Sequence, residues 1–142
     1  MDWRDEGIVL SARAHGETGA ILELFTREQG RHLGLVHGGA GRRMRSVLQP
    51  GNKVAAHWRA RLSEHLGTYQ VELVRPLAGL LMDDPLALLG LSAASAVCGI
   101  VPEREGHPAL FDGYEVLLET MQDEDVWPAG FVRWELGLLQ EL

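Results

Sequence analysis

The chain has 142 residues, of which 46% are apolar and 23% charged, and its formal net charge at pH 7 is −7. This length and composition predict one folded domain, or two small domains that share a core. No apolar run approaches the ~20 residues of a membrane-spanning helix, and the acidic N-terminus lacks the apolar segment of a signal peptide. The single cysteine, Cys98, has apolar neighbours, which indicate a buried side chain rather than a reactive thiol. Together these features indicate a bacterial-type cytoplasm, or at least a reducing compartment.

The net charge is distributed unevenly along the chain. Residues 1–75 carry 11 basic and 8 acidic side chains, a net charge of +3, whereas residues 76–142 carry 2 and 12, a net charge of −10. Such asymmetry predicts two surfaces with different partners. For the second half, an equally simple explanation is that acidic helices keep the protein soluble.

Five runs of alternating apolar residues in the first half predict β-strands separated by tight turns. We expect these strands at residues 7–14, 20–26, 31–37, 53–62 and 68–74. The face of the first strand that carries apolar side chains consists of Ile8, Leu10, Ala12 and Ala14. The corresponding buried face of the fourth strand consists of Val54, Ala56, Trp58, Ala60 and Leu62. Five short strands joined by tight turns predict a small closed or nearly closed barrel, which hides its strand edges.

After Pro76 the apolar period becomes helical. Asp84 and Pro85 predict the start of a helix that is apolar nearly all round, and therefore buried, and that ends before Pro102. Two further helices are expected, one after His107 and Pro108 and one from Pro128 to Leu142. The apolar side chains of the second of these three helices are Leu110, Phe111, Tyr114, Leu117, Leu118 and Met121.

Two domains are therefore expected, a barrel at residues 1–78 and a helical domain at residues 79–142. Because the last helix has no C-terminal stop signal, we expect the helical domain to be incomplete at its C-terminal end.

The stretch from Gly30 to Leu62 concentrates glycine and positive charge. Three glycines precede three arginines, and one short helical turn is expected there before Pro50. On the fourth strand, basic side chains alternate along the outer face. Because arginine and lysine bind phosphates and glycine permits a close approach of the backbone, this pattern predicts a site for a polyanion. The predicted contact residues are Arg42, Arg43, Arg45, Lys53, Arg59 and Arg61, with Arg31 and Arg13 as weaker additions.

Base stacking is expected to contribute little at this site, because Trp58 and Tyr69 lie on the predicted core faces. Enzymatic signals are weak. The glycine cluster lacks the lysine and Ser/Thr of a phosphate-binding loop, no Gly-x-Ser-x-Gly elbow occurs, and the six histidines are scattered. No catalytic residue and no metal ligand is therefore predicted.

Several segments resemble one known family in their order and spacing. They are Glu6–Leu10, Gly16–Glu17, Leu24–Arg31, Gly38–Arg43, Ser46 and Leu48–Pro50. Together they resemble the RecO family of bacterial recombination mediators over essentially the whole chain. The resemblance implies a β + α fold, with an N-terminal five-stranded OB-fold barrel followed by an α-helical domain, which agrees with the predicted strands and helices.

The resemblance also implies a non-enzymatic function in DNA repair of the RecF pathway type. It implies binding of single- and double-stranded DNA, annealing of complementary strands, and help in loading recombinase onto DNA coated by single-strand-binding protein. The implied partners are RecR and the acidic C-terminal tail of single-strand-binding protein, in the bacterial cytoplasm at the nucleoid.

Two features depart from the family pattern. Some members hold zinc through cysteines, but this chain has only Cys98, so no zinc site and no cofactor is expected. An acidic helical half attracts an acidic tail poorly, so a tail site must rely on an apolar groove or is incomplete here. The alternative function is a protein-interaction module that docks repair partners, with incidental affinity for DNA.

Overall fold

A computed structural model describes all residues, 1–142. The chain forms five strands and four α-helices. The strands are β1 (Asp2–His15), β2 (Gly19–Thr26), β3 (Gly30–Val36), β4 (Lys53–Arg59) and β5 (Thr68–Arg75). The helices are α1 (Arg42–Val47), α2 (Pro85–Cys98), α3 (Pro108–Glu119) and α4 (Trp127–Glu141), with a 3-10 helix at Ala78–Leu81. None of these helices is both long enough and apolar enough to cross a bilayer.

The strands form a ring in the order β1-β2-β3-β5-β4, and β1 pairs with both β2 and β4. All neighbours are antiparallel except β3 and β5, which meet in parallel at Leu35 and Thr68. Five strands in this ring, with a helix between β3 and β4, are consistent with an OB-like fold. The β + α fold class expected from the sequence is confirmed.

The first strand is longer than predicted and is buried differently. It begins at Asp2, because its N-terminal part pairs with β4 before the rest pairs with β2. A bulge interrupts the register between Val9 and Ser11. Near it, Val9 points into the barrel, whereas Ile8 and Leu10 pack with the helices. Both faces are thus covered there. Beyond the bulge, Ala12 and Ala14, which the sequence placed on the same face as Ile8 and Leu10, are exposed.

The fourth strand is shorter than predicted and ends at Arg59. Val54, Ala56 and Trp58 are buried as expected, but Leu62 is 52% exposed. The difference arises because the chain leaves the sheet after Arg59 and enters the loop to β5, where alternation no longer decides which side chains face the core.

The helices enclose a second core, separate from the interior of the barrel. The Asp84 carboxylate accepts a hydrogen bond from the Ala87 backbone N–H (3.1 Å), so the predicted cap of α2 is confirmed. The helix is not buried all round, because Leu86 and Leu89 are 61% and 66% exposed. Cys98 is fully buried, as predicted, and burial raises the pKa of its thiol. The side chains predicted for the core of α3 are all buried: Leu110, Phe111, Tyr114, Leu117, Leu118 and Met121.

Candidate nucleic-acid interface

The short helix α1 carries the arginine cluster and covers part of the barrel. Met44 and Val47, three residues apart and hence on one face, pack against the barrel core. The arginines of this helix lie on its other faces, and all three are exposed: Arg42, Arg43 and Arg45. The short helical turn predicted before Pro50 is therefore confirmed.

Asn52 holds α1 in place through hydrogen bonds of its side chain. The sequence indicated only that this residue belongs to a turn. Its side chain is buried, and the amide nitrogen donates to the carbonyls of Ser46 (3.2 Å) and Val47 (3.1 Å). Its side-chain oxygen accepts from the backbone N–H groups of Leu77 (2.8 Å) and Ala78 (3.2 Å). One side chain thus ties the arginine helix to the segment that leads to the helical half. Its position after Pro50-Gly51 carried no sequence signal beyond a turn.

Three clefts run across the exterior of β4 and β5, and they share lining residues. The first has a volume of about 700 Å³ and contains Arg43 and His57. The second, about 350 Å³, shares His57 with the first and contains Arg59. The third, about 570 Å³, shares Arg59 with the second and contains Arg61. We call this continuous surface the outer groove.

The cations of the outer groove are unpaired, although carboxylates lie beside them. Arg43, Arg59 and Arg61 form no ion pair and no side-chain hydrogen bond. The Asp2 carboxylate contacts His57 Nε2 (3.0 Å), and this hydrogen bond lowers the pKa of Asp2. Asp2 belongs to the third cleft, and three other carboxylates line the first cleft: Asp5, Glu6 and Glu72. The groove is thus a row of available guanidinium groups beside an acidic margin.

Two of the predicted contact residues, Arg13 and Arg45, lie together outside the outer groove. Arg13 and Arg45 line a separate cavity of about 340 Å³, together with Gly39 and Gln49. The predicted arginine cluster is therefore divided, because Arg43 and Arg45 belong to different cavities. Arg42 is exposed and lines none of the clefts described above.

Lys53 and Arg31 are not brought together with the outer groove. The Lys53 ammonium lies 2.6 Å from Glu115 Oε2 on α3, and this contact raises its pKa. Alternation does place Lys53 and Arg59 on the same face of β4, but six residues of strand separate them by about 20 Å. Arg31 donates to the Val101 carbonyl (2.8 Å) and contacts Glu23 (3.3 Å). Both cations are committed to contacts within the protein.

The two aromatic side chains that the sequence placed on core faces, Trp58 and Tyr69, are buried in the barrel. Trp58 and Tyr69 are each 2% exposed, and the Trp58 ring is stacked on Trp3. His32 lies among these rings, and burial lowers its pKa to about 4, so it is neutral at pH 7. No Phe, Trp or Tyr side chain is exposed, so phosphate contacts, rather than stacking on large aromatic rings, are the main chemistry this surface offers.

Comparison with protein families assigns both halves of the chain. A model described as "Recombination protein O N terminal" matches residues 1–77, and one described as "Recombination protein O C terminal" matches residues 82–142.

Curated relatives agree with these matches. A protein of Rhodospirillum centenum named "DNA repair protein RecO" is 58% identical over 142 residues, covering 99% of this chain and 56% of the relative. Proteins of the same name from Methylobacterium nodulans and Phenylobacterium zucineum are each 54% identical, over all of this chain and 58% and 59% of their own lengths. The chain thus spans less than three fifths of the length of these relatives.

Proposed function

The chain belongs to the RecO family of DNA repair proteins, and from this premise we propose that it is a non-enzymatic, DNA-binding mediator of recombinational repair. In this proposal a single strand lies along the outer groove, where Arg43, Arg59 and Arg61 contact its phosphates. The observation that carries the proposal is that these guanidinium groups line one continuous groove and pair with no carboxylate.

The expected binding mode is electrostatic and tolerant of sequence. A strand that contacts three arginines releases counterions, so the logarithm of the binding constant should fall with the logarithm of salt concentration with a slope of about −2. Sequence preference should be small, because no exposed Phe, Trp or Tyr ring is present to stack on bases.

The test is fluorescence anisotropy with a labelled single strand of about 30 nucleotides, titrated at several salt concentrations. We compare Arg43→Glu/Arg59→Glu with Arg13→Glu/Arg45→Glu, a matched control with the same change in charge in the separate cavity. The groove variant should lose at least about a hundredfold in affinity, whereas the control should lose about tenfold or less. Equal losses would show that only net charge matters, and a larger loss in the control would move the site to the Arg13–Arg45 cavity.

The wider activity follows from the family and remains part of the proposal. We propose that the protein also binds double-stranded DNA, anneals complementary strands and, with RecR, helps to load recombinase onto coated DNA. It requires no cofactor in this role, and we place it in the bacterial cytoplasm at the nucleoid. Lys53 and Arg31 are left out of the proposed DNA contacts because both are held within the protein.

For the acidic tail of single-strand-binding protein we propose a groove between α3 and α4. Its volume is about 810 Å³, and Val116, Leu117 and Trp134 contribute to its lining. Arg133 supplies a cation at this groove, and the buried Trp134 indole N–H has no hydrogen-bond partner. These features fit a short peptide with apolar side chains and a terminal carboxylate. A labelled acidic peptide should bind, and Arg133→Glu should weaken it at least about tenfold.

The alternative, a protein-interaction module, is favoured by the carboxylates that line the first cleft. The variant Arg42→Glu/Arg43→Glu/Arg45→Glu separates the two functions. If DNA binding survives at moderate salt while binding of RecR collapses, the interaction module is the better description. If DNA binding is lost and partner binding persists, the mediator function is supported.

A further inference from the structure

The loop between β4 and β5, residues 60–67, carries Arg61 at one end of the outer groove. Its carbonyls are held from both halves of the protein. The Ser63 and His65 carbonyls accept hydrogen bonds from two guanidinium nitrogens of Arg104. The Leu66 carbonyl accepts from the indole N–H of Trp58 (2.9 Å). Arg104 is thus the contribution of the helical half to a loop that the barrel also holds.

Gly67, at the end of this loop, packs directly against the Trp58 ring of the barrel. Its φ of +73° lies in the left-handed region, and a side chain there would collide with the Trp58 ring. Its carbonyl accepts from the backbone N–H of Leu35 (3.0 Å). The C-terminal end of the loop is therefore fixed by the barrel, whereas its middle is fixed by Arg104.

Arg104 itself is held in an unusual conformation between α2 and α3. Its φ is +60°, which is uncommon for a residue other than glycine. Its backbone N–H donates to the Arg31 carbonyl (2.8 Å), and its guanidinium carbon lies 5.2 Å from the centre of the Trp58 ring. Such a conformation persists only where the surroundings determine it.

The segment around Arg104 is fixed on the barrel. The Arg31 guanidinium donates to the Val101 carbonyl (2.8 Å) and pairs with Glu103 (3.5 Å). Gly30, at φ +68°, permits a close approach of the Glu105 backbone that any side chain would prevent. Arg104 therefore projects toward the loop from a rigid base.

We propose that Arg104 is a positioning residue, which fixes the β4–β5 loop so that Arg61 is presented to DNA in the outer groove. This inference rests on the proposed DNA-binding function of that groove. The planar guanidinium offers two separate N–H donors to the two carbonyls, which the compact ammonium of lysine cannot span in the same way. The shape of the DNA-binding surface thus depends on a side chain from the helical half.

The first measurement needs no DNA. Glu64 lies between the two carbonyls that Arg104 holds, so cleavage after Glu64 by a glutamate-specific protease reports how often the loop opens. Cleavage after the exposed Glu17, in the β1–β2 turn, is the internal reference. Arg104→Lys, which keeps the charge, and Arg104→Gly, which suits the left-handed backbone, should each speed cleavage after Glu64 about tenfold. The control Arg133→Lys, also in the helical half, should not.

The second measurement is the salt dependence of single-strand binding. Arg104→Lys should reduce the slope by about 0.7, the value for one lost phosphate contact, and Arg61→Gln should do the same. Because both changes remove the same contact, the double variant should lose no more than Arg61→Gln alone. A direct phosphate contact by Arg104 predicts instead an unchanged slope in Arg104→Lys and an additional loss when Arg61 is also changed.

The two measurements can contradict the inference in separate ways. Unchanged cleavage after Glu64 in both Arg104 variants overturns the inference, whatever DNA does. Faster cleavage with unchanged DNA binding shows that the loop does not present Arg61, and also overturns it. If the wild-type chain binds no DNA even at low salt, the proposed function fails, and the role of Arg104 in presenting Arg61 fails with it. A cleavage difference would then show only that Arg104 orders the loop.

Discussion

The barrel carries cations on two faces, and the two sets meet different surroundings. Toward the helices, every paired cation meets a carboxylate from residues 103–119. These contacts join Arg27 to Asp112, Arg31 to Glu103, Lys53 to Glu115, and Arg75 to Glu115 and Glu119. Along the outer groove, Arg43, Arg59 and Arg61 have no such partner.

This difference shows that the number of basic residues in the sequence does not tell which of them stay unpaired in the fold. The contact between the barrel and the helical half partly explains why the second half is acidic. Several carboxylates of the helical half pair with cations of the barrel. The cations that remain free lie where the helices do not reach. A cation paired within the protein would have to give up that contact to bind a phosphate, whereas an exposed arginine gives up only water.

The largest effect on stability is expected at Asn52. This residue ties α1, which carries Arg43, to the segment that leads to the helical half. Replacing Asn52 with alanine removes the hydrogen-bond partner of two carbonyls of α1 and of the backbone N–H groups of Leu77 and Ala78, and should lower the free energy of unfolding by about 3 kcal/mol. Asn52→Asp keeps an acceptor for Leu77 but places a carboxylate oxygen against the Ser46 and Val47 carbonyls, so it should also lower the free energy of unfolding. Urea unfolding measures both. A loss below about 1 kcal/mol in Asn52→Ala would show that α1 is held by its apolar contacts instead.

A somewhat smaller effect on stability is expected from His32. This basic side chain is buried in the barrel and forms no ion pair. Its folded pKa, about 4, lies below its ordinary value of 6.5, so the unfolded chain takes up a proton first as the pH falls. This residue should therefore cost about 2 kcal/mol of stability between pH 7 and pH 5.

Urea unfolding at several pH values checks this prediction. The variant His32→Gln, which cannot titrate, should lack this part of the pH dependence. An identical loss of stability in wild type and variant between pH 7 and pH 5 would assign the effect to other groups.

The smallest effect separates the two faces most directly. Lys53 and Arg59 stand at opposite ends of β4, so Lys53→Gln and Arg59→Gln are matched losses of one charge. Lys53→Gln should lower the free energy of unfolding by about 1 kcal/mol and leave the salt slope of DNA binding unchanged. Arg59→Gln should do the reverse, reducing the slope by about 0.7 at constant stability.

The pH dependence of the Lys53 contact provides a further check on this pair. Because Glu115 raises the folded pKa of Lys53, its stabilisation is complete below the ordinary pKa of 10.5 and is lost as the pH rises through the folded value. Lys53→Gln should flatten the decline in stability above that pH. Lost DNA affinity without lost stability in Lys53→Gln would place this residue on the binding face after all.

Much of the fold could be predicted from local patterns. Alternation identified all five strands, and Asp84 with Pro85 identified the start of α2, because these signals depend on neighbours in the sequence. The patterns failed where long-range contacts decide burial. Ala12 and Ala14 are exposed beyond a bulge, and Leu62 lies in a loop that its alternation could not reveal.

For the candidate site, the sequence shows which cations exist and predicted the short helical turn that carries three of the arginines. Which of these cations remain free depends on how the helical half packs against the barrel. Lys53 and Arg59 share a strand face, yet one meets a glutamate 62 residues further along the chain and the other meets solvent. The same holds for Arg104, whose partners lie about forty residues away, because pairing across such distances is set by how the helices pack on the barrel.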